Sequence, residues 1–164
     1  MSLRPDQIAS VLSASERRMI DDEHARLEQF LKDLRDTCEN FGASGNCYGC
    51  TRAQVATCQG RLASFFYDFL DLIAEHFENE EKIIQGMLKA ADEDAYFLQH
   101  QAEHHRLIEE VRKLMRASSL MSQRGNPSEA IRQLEGFIAE MFSVHAHAYD
   151  GPFLLLTQDK PRTN

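Results

Sequence analysis

Between residues 62 and 87, Leu62, Phe66, Phe69, Ile73, His76, Glu80, Ile83 and Met87 recur at alternating steps of four and three. A helix advances about 100° per residue, so these positions form one stripe on a single helical face. A stripe this long cannot be left to solvent and requires other helices to cover it. Two of its members are not apolar. His76 and Glu80 lie about 40° apart around the axis and point the same way, so they can share one partner.

Three further stripes supply the cover. Ser13 and Glu16 have capping-box spacing, and Ile20, His24, Leu27, Leu31 and Leu34 follow on one face that ends near Cys38. Residues 39 to 50, ENFGASGNCYGC, are rich in Gly, Asn and Ser and read as a loop, after which the long helix runs from about Arg52 to Lys89. ADEDAYF, residues 91 to 97, interrupts the pattern before His100, His104, Leu107, Val111 and Leu114 mark a third helix. SSLMSQRGNPSE, residues 118 to 129, reads as the next loop, with Asn126 as N-cap and Pro127 at the first helical position. The fourth helix carries Ile131, Leu134, Ile138, Met141 and His145, and Gly151-Pro152 is expected to stop or kink it. No stretch reads as a strand. The expected fold is all-α: an antiparallel up-down four-helix bundle with an N-terminal extension and a cysteine-containing loop between the first two helices. One domain spans residues 1–164, with a helical core over about 18–156 and a cysteine-bearing insertion over about 38–58.

The net charge is −8, from 26 acidic and 18 basic residues, with no run of Lys or Arg. That balance argues against nucleic acid or an anionic membrane as partner. MSLRPDQIAS lacks the apolar segment of a secretory signal, and no stretch reaches the roughly 20 apolar residues that span a bilayer. A cytoplasmic location is expected.

Every stripe carries histidine: His24 in the first, His76 with Glu80 in the second, His100 with His104 in the third, and His145 near Asp150 in the fourth. Any one of them alone is an ordinary core histidine satisfied by a carbonyl. Five imidazoles and two carboxylates in one interior would each incur a desolvation cost of a few kcal/mol, roughly, without a compensating cation. A metal or a pair of metals resolves this. Imidazole and carboxylate without thiolate suit iron, zinc, manganese or copper, and seven ligands exceed what one four-coordinate zinc uses. Two carboxylates able to bridge, with five terminal nitrogens, suit two octahedral ions that also share a solvent-derived oxygen. One coordination position is then left open for a small ligand.

IDDEH at 20–24, HFENEE at 76–81, HQAEH at 100–104 and HAHAYD at 145–150 resemble, in order and internal spacing, the motifs of bacterial hemerythrins, the hemerythrin-like (HHE cation-binding) family. The resemblance runs from about residue 18 to 156. It implies an oxo- or hydroxo-bridged pair of irons bridged by Glu80 and Asp150, one completed by His100, His104 and His145. It implies that His24 and His76 hold the other, whose vacant position takes dioxygen. The five-residue step from His145 to Asp150 turns about 140° on a regular helix, so Asp150 is expected to reach in from a distorted helix end near Gly151-Pro152. His105 and His147 fall outside the pattern, with His147 near enough to hydrogen-bond by the site. Phe77, Phe142 and Tyr149 are expected to keep the pocket dry. The chain departs from the family in having no Trp, with Phe142 where the family commonly has one just before the last histidine. It departs also in a longer connection from Glu80 to His100, and in an enlarged segment from His24 to His76.

The function expected is that of a non-enzymatic di-iron protein that reversibly binds dioxygen or another diatomic ligand, as carrier, store or sensor. The alternatives are a di-iron redox protein handling iron oxidation, nitric oxide or peroxide, and a regulatory redox-sensing module. Bundle-type di-iron oxidases use more carboxylates than histidines, and five His against two carboxylates favours binding. Cys38, Cys47, Cys50 and Cys58, spaced C-x8-C-x2-C-x7-C, all fall in the enlarged segment, and an antiparallel first helix pair brings them to one end of the bundle. One structural zinc, disulfides and free thiols compete as readings. Cys47-Tyr48-Gly49-Cys50 has zinc-knuckle spacing, and a cytoplasmic setting disfavours lasting disulfides.

Overall fold

The computed structural model describes residues 3–38, 47–123 and 127–157. Its main elements are α1 (Ala14–Asp36), α2 (Arg52–Met87), α3 (Ala95–Gln123), α4 (Pro127–His145), a π-helical turn (Ala146–Asp150) and α5 (Gly151–Thr157). Among the described residues there is no strand, only an isolated bridge between Ile8 and Leu88.

The helix starts follow from local chemistry. Ser13 accepts from the Glu16 amide at 3.2 Å and its own amide donates to Glu16 Oε2 at 2.8 Å, the expected capping box. Thr51 and Gln54 form a second one that the sequence reading did not single out. Asp94 Oδ1 accepts from the amides of Tyr96 and Phe97, so α3 begins at Ala95, ahead of the expected start. That helix also continues through Gln123, where a loop was expected from residue 118. Serine costs little inside a helix, and this stretch meets no Gly or Pro before Gly125. Asn126, the expected N-cap, lies outside the described residues, as does the loop over 39–46. Pro127 does open α4.

Two apolar clusters fill the bundle, one at each side of a polar layer. The first holds Leu27, Leu34, Leu62, Phe66, Phe69, Ile73, Phe77, Leu107, Val111, Ile131, Leu134, Ile138 and Met141. The second holds Ile20, Ile83, Ile84, Met87, Tyr96, Phe97 and Phe153. Along α1 and α3 the chain passes from the second cluster to the first, and along α2 and α4 from the first to the second. The helices therefore alternate in direction, which is the up-down bundle. The N-terminal extension closes the second cluster, with the Ala9 amide donating to Met87 O at 2.7 Å and the Lys89 amide to Gln7 O at 3.1 Å. No described helix is long and apolar enough to cross a membrane.

Candidate metal centre

Between the two clusters each helix contributes its polar residues to one layer. On α1 these are Glu23 and His24, on α2 His76 and Glu80, on α3 His100 and His104, and on α4 His145, with Asp150 from the π turn. All seven residues picked from the sequence meet there.

Asp150 arrives by a route that differs in part from the expected one. The Gly151 amide donates to Ala146 O, a five-residue closure, so the wider turn brings Asp150 back to the side of His145. Gly151-Pro152 does not end the helix, which continues as α5. In an unbroken α-helix Pro152 could neither donate to Ala148 O nor avoid it, and the wide turn removes that conflict. A Cβ on residue 151 would stand 3.1 Å from Ala146 O, which suits the glycine found there.

The ligand atoms form two groups: Glu80, His100, His104 and His145, and His24, His76 and Asp150. In the first, the His145 Nε2 lies 3.1 Å from His100 Nε2 and 3.2 Å from His104 Nε2. With metal–nitrogen bonds of about 2.1 Å, ligands at right angles stand about 3.0 Å apart and tetrahedral ones about 3.4 Å. Three nitrogens at this spacing suit one ion. Glu80 Oε2 faces the same three nitrogens at 3.4 to 3.8 Å. Asp150 spans the groups: its Oδ1 is 3.2 Å from His145 Nε2 and 3.7 Å from His100 Nε2, while its Oδ2 is 3.6 Å from His24 Nε2.

The protein atoms alone leave this layer unbalanced. Glu80 is fully buried, and neither of its carboxylate oxygens, nor Asp150 Oδ1, has a hydrogen-bond partner. Buried carboxylates without donors are costly, and a cation among them removes the cost. The electrostatics strain the same way. Burial drives His100 down to about 3. His145 is driven down by burial too, but the nearby Asp150 and Glu80 carboxylates prevail and hold it at about 9. Burial opposes ionisation of Glu80, yet His104 and His145 keep its carboxyl well below the usual range. His24 is lowered by burial and by His76. The donor set fits a metal site, since a cation would satisfy the buried carboxylate oxygens that the protein leaves without donors.

Two carboxylates that the sequence reading missed orient the ligands. Glu23, itself buried, accepts from His76 Nδ1 at 2.9 Å and from Asn79 Nδ2 at 2.7 Å. Glu81 accepts from His104 Nδ1 at 2.7 Å and from Gln101 Nε2 at 2.9 Å. Each fixes which ring nitrogen faces the site. A signal for Glu23 existed: it stands three residues after Ile20 and four before Leu27, so it shares their stripe. Rings enclose the rest. Phe77 stacks on His104 at 3.9 Å and Tyr149 on His100 at 4.9 Å, while Phe142 meets His24 edge-on at 6.4 Å. A small cavity of about 10 Å³, close to what one water needs, adjoins His24, His76 and Asp150, touches His145 as well, and is walled by Leu27, Phe77, Met141, Phe142 and Ala146.

His105 and His147 lie outside the layer. Both are exposed and donate to carbonyls of their own helices, Gln101 O and Ser143 O. Both thus face solvent, and His147, though near enough in sequence to hydrogen-bond by the site, bonds within its own helix instead. The four cysteines lie at the other end of the bundle, all without disulfides.

A family model described as Hemerythrin HHE cation binding domain matches residues 16–153. No curated protein and no solved structure matches the chain.

Proposed function

Because the chain belongs to the hemerythrin HHE cation-binding family, we propose that the polar layer holds two irons and that the protein binds dioxygen reversibly, without turnover. His100, His104 and His145 would hold one ion and His24 and His76 the other, with Glu80 and Asp150 between them. When bound, the irons supply redox-reversible affinity for a diatomic ligand. The observation that carries the reading is the asymmetry of the layer. Three nitrogens crowd the first group and two serve the second, and the small cavity touches all three residues of the second group but only His145 of the first.

The chain's own part is orientation and exclusion. Glu23 and Glu81 hold His76 and His104 by their outer nitrogens, so the inner nitrogens are committed to the site. Phe77, Met141 and Phe142 leave the cavity room for about one water-sized molecule, which favours a small neutral ligand and keeps bulkier oxidants out. The ligand set is rich in imidazole and poor in carboxylate, which favours binding over oxidation chemistry.

Protein made in iron-supplied medium is expected to carry about two irons per chain. After anaerobic reduction, air should bring up a visible band that fades under vacuum and returns on re-exposure. One zinc in place of iron would sink the two-iron assignment. A band that never fades, or one that bleaches as peroxide or nitric oxide is consumed, would favour the redox alternative.

A further inference from the structure

The cysteines form a chemistry-bearing group that the metal layer leaves unused. Cys38 is buried and follows α1, whose last residue is Asp36. Cys58 sits in the second turn of α2, its sulfur 3.9 Å from Thr37 O, next to Cys38 in the chain. Cys47 and Cys50 flank a tight turn closed by the Cys50 amide donating to Cys47 O at 3.2 Å. Gly49 takes φ +90 in that turn, a conformation open to glycine and costly for other residues. The Cys47 sulfur reaches the buried Ser128 of α4 at 3.4 Å. The four residues thus gather where α1 ends and α2 and α4 begin. From Cys58 to His76 is about 27 Å along α2 at about 1.5 Å per residue, so the cluster is independent of the histidine layer.

We propose that Cys38, Cys47, Cys50 and Cys58 form a second metal site, a four-thiolate centre for a soft divalent cation, with zinc the ion whose tetrahedral preference fits it. Two cysteines come from one tight turn and two from packed helix ends, so closing the site ties the long α1–α2 connection to the bundle. Arg61 supplies positive charge near Cys58, beside a centre whose four thiolates would exceed the charge of one divalent ion. The cysteines are not among the groups whose ligand atoms all lie within 4.8 Å of one another. Thiolates at about 2.3 Å from one zinc stand about 3.8 Å apart, so binding the metal draws the sulfurs together.

The test uses the full chain, expressed with iron and zinc both supplied. About one zinc per chain is expected beside the iron, with thiols that react slowly until a chelator is added. Cobalt(II) added to zinc-stripped protein should show the sulfur-to-metal charge-transfer bands of a tetrahedral thiolate centre. Cys50→Ser and Cys58→Ser should lose zinc and the cobalt bands while iron content holds. Four thiols that react at once with no zinc present, thiols released only by a reductant, or zinc kept in both variants would each overturn the proposal. Should a variant fail to fold, as lost iron and helicity would reveal, the cobalt titration of the unaltered chain decides alone.

Discussion

The histidine layer and the cysteine cluster share α2 yet are built in opposite ways. The layer lies between two apolar clusters, where packing above and below fixes each side chain, and its Nε2 atoms already stand 3.1 and 3.2 Å apart around His145. The cluster draws on helix ends and a turn, three of its four members are only half-buried, and its sulfurs have not closed on a common point. A site in the core can be prepared by the apolar fold around it. One at a connection has less packing to lean on and takes its final shape from its ligand. The two regions should therefore respond differently to loss of a single side chain.

The largest effect is expected from Glu80→Ala. Glu80 faces His100, His104 and His145 through one oxygen, and both of its oxygens lack hydrogen-bond donors. Removing it should abolish most iron binding, by more than the roughly 10- to 100-fold that loss of an orienting partner causes. Metal-free protein should keep its helical spectrum and melt no earlier, because an unpaired buried carboxylate leaves with the substitution. Full iron with an unchanged visible spectrum would show that Glu80 is not a ligand. An early-melting metal-free variant would show that the core leans on the layer it was taken to support.

A smaller loss is expected from Glu23→Ala. It frees the His76 ring and strips Asn79 of its acceptor, without touching an inner nitrogen. Iron affinity should fall by about 10- to 100-fold, with Glu23→Gln recovering much of it because an amide oxygen can still accept from His76 Nδ1. Chelator titration of the two variants measures the difference. Equal losses in both would mean that the negative charge, and not the hydrogen bond, is what Glu23 contributes.

How legible each region was follows from the same contrast. The stripes were readable because Leu62 through Met87 must all face one way, and the seven layer residues were readable because they interrupt those stripes. Glu23 escaped notice although it lies on the α1 stripe, because it follows the exposed Asp21 and Asp22 directly and nothing in the sequence sets it apart from them. Glu81 carried less signal: it is half-exposed, and its role depends on where α3 places His104 and Gln101. The distortion expected at Asp150 is the π turn, and what differs is that the helix goes on past Gly151-Pro152, because the five-residue closure before Pro152 absorbs the conflict that would have ended it. Helix ends were the least legible. The start of α3 depends on Asp94 as a cap, and the run of α3 through Ser118 and Ser119 depends on tolerance that composition alone does not reveal.

The smallest effect is expected from His105→Ala, which tests whether the register of α3 is right. His105 directly follows His104, the last residue of the HQAEH motif, so a one-residue slip would exchange their roles. Adjacent positions on a helix point about 100° apart, so only one of the two can share a face with His100. His104 is buried with its Nε2 toward Glu80 and its ring on Phe77, whereas His105 is exposed and bonds to Gln101 O within its own helix. Alanine favours the helix somewhat more than histidine, by a few tenths of a kcal/mol, roughly. Iron content and the visible band should therefore stay as they are, with the melting temperature level or slightly raised. Iron lost from His105→Ala and kept in His104→Ala would place α3 one residue out of register and move the whole ligand assignment with it.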